Sequence, residues 1–92
     1  MSYTNFKLVA EVLIKDHMSK IDSGEIELRV FNQHDYYVCE SAIEALENHT
    51  DKVECIYNRL YSNINLSSLS AISVAHNIAT IEIEPISSKW VD

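Results

Sequence analysis

A single glycine, Gly24, occurs among 92 residues, where an average chain of this length would carry about six or seven. Phosphate-cradling loops, dinucleotide fingerprints and nucleophile elbows all need clustered glycines, for tight turns or for close backbone approach to a ligand. None of them can be built from this chain. That absence excludes more enzyme classes than any residue present supports. The length predicts one domain, residues 1–92. A domain of this size buries roughly 60–65% of its unfolded surface, and a hydrophobic share of 47% supplies the side chains for a core.

The spacing of apolar residues predicts a first helix from Ser2 or Thr4 to about Ile21. Phe6, Val9, Ala10, Leu13, Ile14 and His17 recur three and four apart and so share one face. Asp22-Ser23-Gly24 breaks the pattern as a turn. From Glu25 the period changes to two, with Ile26, Leu28 and Val30 alternating against Glu25, Glu27 and Arg29. Asn32-Gln33-His34 reads as a connection, and Tyr36 to Cys39 as the returning strand of a β-hairpin. Ser41-Ala42-Ile43-Glu44 fits a capping box. It opens a helix whose stripe is Ile43, Leu46, Val53, Tyr57 and Leu60, with an interruption at 48–51 where Thr50 caps a second piece.

Two readings compete between Leu66 and Glu84. Leu69, Ile72 and Ala75 fit a helical face. A turn at His76-Asn77 would instead set Ile72 opposite Ile81 and Val74 opposite Ala79, and cross-strand apolar pairing favours this hairpin. Pro85, with no N–H for a ladder, would end its last strand. The expected fold is therefore α+β, in the order α-β-β-α-β-β. An antiparallel sheet of about four strands would carry two helices on one face.

On such a sheet, Glu25 and Glu27 of the first strand and Glu82 and Glu84 of the last would line a solvent face. Alternate strand residues stand about 6.6–6.8 Å apart. A carboxylate row at that pitch can meet a lysine- or arginine-rich surface; a solvated face kept charged for solubility is the plainer reading. Arg29 and Lys52 are the cations that a short local contact with a nucleic-acid backbone would use. Tyr37 and Trp90 are the aromatic candidates for a partner surface, although packing as a lid on the core is the plainer role for Trp90.

The formal net charge of −7, with seven lysines and arginines scattered singly, opposes binding to nucleic acid or anionic membrane through a basic surface. It points to a basic, nucleic-acid-binding protein complex as partner. His34, Cys39, His49 and Cys55 are spaced too widely for zinc-ligand pairs, so neither a metal nor another cofactor is expected. Cys39, just ahead of the capping box, is the one candidate nucleophile, and no histidine is fixed beside it. Two distant cysteines make no disulfide framework. No signal-peptide pattern or membrane-length apolar run occurs, so the chain reads as cytoplasmic.

As a whole, in size, acidity, scarcity of glycine and α/β layout, the chain resembles small phage anti-CRISPR proteins that inhibit the type I-F (Csy, or Cascade) surveillance complex. The opening Met1-Ser2-Tyr3-Thr4-Asn5-Phe6-Lys7-Leu8-Val9 adds to the likeness, which extends to the eighth family of these inhibitors. The resemblance implies a non-enzymatic protein in the bacterial host cell. It would bind a Cas ribonucleoprotein, with room for a local contact with the guide RNA, and block target DNA from binding or hybridising to that RNA. No motif aligns, so no binding residue is carried over. The alternative is a homo-oligomeric phage assembly or structural protein.

Overall fold

Helix α1, Tyr3–Asp22, starts where Ser2 holds an extended backbone and its hydroxyl oxygen accepts the Asn5 N–H at 3.2 Å. That bond satisfies one of the orphan donors of the first turn. Phe6, Ala10 and Ile14 face inward as their spacing requires. The helix closes through Ser23 N–H to the Ser19 carbonyl at 2.9 Å and Ile26 N–H to the Lys20 carbonyl at 3.0 Å. Between them Gly24 takes φ +86°, a left-handed backbone that a side chain disfavours. The computed structural model describes residues 2–26, 30–64 and 69–91, with backbone alone at 30–32 and 83–91.

After α1 the chain departs from the α+β expectation. Helix α2 runs Val30–Asn48, α3 covers Thr50–Ile56, a π-helical turn spans Tyr57–Tyr61, and α4 runs Ala71–Val91. No strand occurs among the described residues, so neither hairpin nor sheet exists there. The fold is a small all-helical bundle. The proposed strand residues 27–29 lie outside the described residues.

Burial of adjacent residues decides against strands. Val38 and Cys39 are both fully buried while Tyr37 stays exposed. Successive strand residues point to opposite faces, whereas a 3.6-residue period lets neighbours share one broad stripe. The same holds at Val74 with Ala75, and at Ile78 with Ala79. Val38, Ala42 and Ala45 then continue one stripe straight through Ser41. Ser41 is thus a buried interior residue of α2 rather than a cap. His76 and Asn77 sit on α4 instead of forming a turn, and α4 passes through Pro85. Proline leaves the Ile81 carbonyl without its helical donor, but the ladder continues on either side.

The break between the two middle helices falls where it was expected, at His49. Its position is one residue before the predicted cap, and no side chain caps α3. Beyond it, the wide π turn keeps Tyr57 and Tyr61 on the inner side and leaves Leu60 partly exposed. Phe6 stacks on Tyr61 with ring centroids 4.9 Å apart and tilts against Tyr57 at 5.2 Å. This aromatic group seals α1 onto the turn.

Helices α2 and α4 share the largest interface, and α1 packs on both. Ala42 and Ala45 of α2 and Ala75 and Ala79 of α4 are all buried, and such small side chains allow close helix approach. The molecule measures 37 × 34 × 19 Å. Its short dimension is about two helix diameters, so the core is one sheet of side chains between two helical layers.

Candidate partner-binding surface

The loss of the sheet disperses the expected carboxylate row. Glu25 lies exposed in the turn after α1. Glu82 stands on α4 with its Oε1 2.7 Å from His49 Nε2. Glu27 and Arg29 lie outside the described residues, as do the side chains of Glu84 and Trp90, whose backbone belongs to α4. Among the described residues, Glu25 lies in a turn and Glu82 and Glu84 belong to a helix, so no strand pitch relates these three. Tyr37 is on the surface as anticipated, with 55% of its area exposed, but on a helix.

A different acidic row takes shape on α2. Its 19 residues contain Asp35, Glu40, Glu44 and Glu47 and no lysine or arginine. Glu40, Glu44 and Glu47 are all exposed and, at i, i+4 and i+7, share one face. The rise of 1.5 Å per residue spreads them over about 10 Å of helix axis. Tyr37 precedes Glu40 by three residues and belongs to the same side. Among the described residues, no ion pair engages any of the three glutamates. The pattern was present in the sequence, but it surfaces only if the helix is read through Ser41.

Other polar groups of α2 are committed to holding the bundle. Tyr36 donates its hydroxyl to Asp22 Oδ1 at 3.2 Å, which ties α2 to the end of α1. Burial first, and then the Asp22 charge, raises the Tyr36 pKa. Asp35 meets His76 Nε2 at 3.2 Å, and the His34 ring lies 6.1 Å from that of His76. This pair bridges α2 to α4, as His49 and Glu82 do nearer the helix break.

The cysteines show how environment decides chemistry. Cys39 is buried in mid-α2, away from the N-terminus of that helix, and burial reinforced by Asp35 and Glu40 pushes its thiol up to about 11. Protonated at neutral pH, it is a poor nucleophile. Cys55 is exposed on α3, and both thiols are free. Among the described residues, no three His, Cys, Asp or Glu side chains converge as a metal set. An open depression of about 310 Å³ at the helix break is lined only by the consecutive residues Asn48 to Lys52. No helix among the described residues is long and apolar enough to cross a membrane.

Comparison with known proteins leaves the surface to speak for itself: no family model, no curated protein and no solved structure matches the chain.

Proposed function

We propose that this chain is a non-enzymatic inhibitor that docks the acidic face of α2 on a cationic surface of a nucleic-acid-handling complex. The observation that carries the reading is the set of exposed, unpaired carboxylates Glu40, Glu44 and Glu47 on a helix devoid of lysine and arginine. Exposed carboxylates are well hydrated, so a partner surface must replace that hydration with charges of opposite sign. Lysine and arginine side chains that otherwise hold phosphates offer them complementary partners. Exposed Tyr37 adds an aromatic anchor at one end of the row.

The complex we assign is the type I-F CRISPR surveillance complex, with target-DNA binding or its hybridisation to guide RNA as the blocked step. Size, acidity and scarcity of glycine support that assignment. The α/β layout that added to the likeness has gone, since the fold is helical. The mechanism is occupancy: carboxylates and Tyr37 cover cations that target DNA requires, and no bond is made or broken.

The test is a gel-shift titration of target DNA against purified type I-F complex, with and without the protein. Near-stoichiometric loss of DNA binding is expected, and the triple variant Glu40→Lys, Glu44→Lys, Glu47→Lys should be about tenfold or more weaker. Unchanged DNA binding at a large excess of protein overturns the assigned complex. Full inhibition by the triple variant overturns the α2 face.

A further inference from the structure

We infer that His34 of α2 and His76 of α4 bind one divalent transition-metal ion between them, of the zinc, nickel or copper class, and that the ion staples the two helices. The rings lie side by side across the helix pair, with centroids 6.1 Å apart and planes 43° from parallel. Both residues are exposed. Zinc–nitrogen bonds are about 2.0–2.1 Å long, which puts the centres of two imidazoles on one ion roughly 4.5–6.5 Å apart. The observed spacing falls in that range. Imidazole is a favoured ligand of this class of metals.

Asp35 supplies the second part of such a site. Its Oδ1 lies 3.2 Å from His76 Nε2. A carboxylate only accepts, so the contact places the proton of a neutral His76 ring on Nε2 and leaves the lone pair on Nδ1 for a metal. Histidine ligands almost always give their other nitrogen to a partner of this kind, which fixes the ring and makes it a better donor. Asp35 and His34 are neighbours on α2, so one stretch of helix brings both the orienting carboxylate and the second imidazole to His76.

The electrostatic setting favours a cation. Helix α2 has no lysine or arginine. The one on α4, Lys89, is 13 residues beyond His76, or about 20 Å along a helix axis. The net charge of −7 further raises the local concentration of divalent ions. No third His, Cys, Asp or Glu side chain completes a metal set among the described residues. Water therefore fills the remaining positions, and the site is open and exchangeable. Its effect is mechanical: an ion held by both helices stabilises the α2–α4 contact, the largest in the bundle.

Titration calorimetry of the full chain with zinc chloride at pH 7.5 tests this, in a Cys55→Ser background that removes the exposed thiol as a rival ligand. One equivalent of zinc should bind, and the denaturation midpoint should rise with zinc concentration. His34→Ala and His76→Ala should each weaken binding at least about tenfold, and Asp35→Ala about 10–100-fold. His17→Ala should change nothing. The decisive variant is His34→Ala, because it leaves the Asp35–His76 contact in place and keeps the fold, read by circular dichroism. No binding up to millimolar zinc, or binding that survives His34→Ala, overturns the proposal. Neither result bears on the acidic face of α2, which is read by DNA competition in metal-free buffer.

Discussion

Glu82 and His49 meet at 2.7 Å across the break between α2 and α3, so that α4 is pinned to the point where the chain changes direction. The contact is only partly exposed on both sides. It gives Glu82 a structural task, which distinguishes it from the unpaired acids of α2.

A double-mutant cycle on Glu82→Ala and His49→Ala should therefore return a coupling of about 0.5–1 kcal/mol in urea denaturation. Capture of the partner complex by Glu82→Ala should match the parent once both are folded. A coupling of zero would mean that the two side chains do not act together in solution.

Thiol reactivity should separate the cysteines sharply. In the folded protein one thiol per chain, that of Cys55, should react with a disulfide reagent at neutral pH, and Cys39 only after denaturant is added. Rapid modification of two thiols in the native state would contradict the burial of Cys39.

The same buried thiol makes alkaline stability measurable. Its folded pKa is raised from 9.0 to about 11, so the unfolded chain loses the proton first. The stabilisation is intact below about pH 9 and is lost as pH climbs through about 11. A shift of this size corresponds to a loss on the order of 2 kcal/mol. Tyr3 and Tyr61, also raised chiefly by burial from the ordinary 10.0, act in the same direction as pH rises beyond that value. Denaturation midpoints at pH 8 and pH 11 should converge for Cys39→Ala relative to the parent.

Gly24→Ala should cost about 1 kcal/mol, because φ +86° is the constraint and no neighbour lies within 4 Å of an added methyl. Gly24→Asn should cost less, since asparagine tolerates the left-handed region better. Equal losses for the two variants would point to crowding instead of backbone strain.

Helix α1, its cap at Ser2 and the turn at Gly24 were legible because local signals and tertiary burial agree there. The two long helices after it were not. The run Tyr36-Tyr37-Val38-Cys39 favours strands locally, and Ser41 with Glu44 imitates a helix start, yet both signals also fit a helix interior. Packing against α4 decided the matter by burying Val38 together with Cys39. Asn77 shows the same ambiguity: a good turn residue in sequence, it donates its side-chain amide to the Tyr61 hydroxyl from within α4. With no strand among the described residues, Glu25 in its turn and Glu82 on α4 have no strand face to share. The acids spaced at helical intervals on α2 share a helical one.

The carboxylate spacing of α2 also bears on ionic strength. Like charges four apart on a helix destabilise it by a few tenths of a kcal/mol per pair, and mobile ions dampen that repulsion. Moderate sodium chloride should thus firm this fold while it loosens the proposed hold on a cationic target. One helix face would answer a single variable with opposite signs.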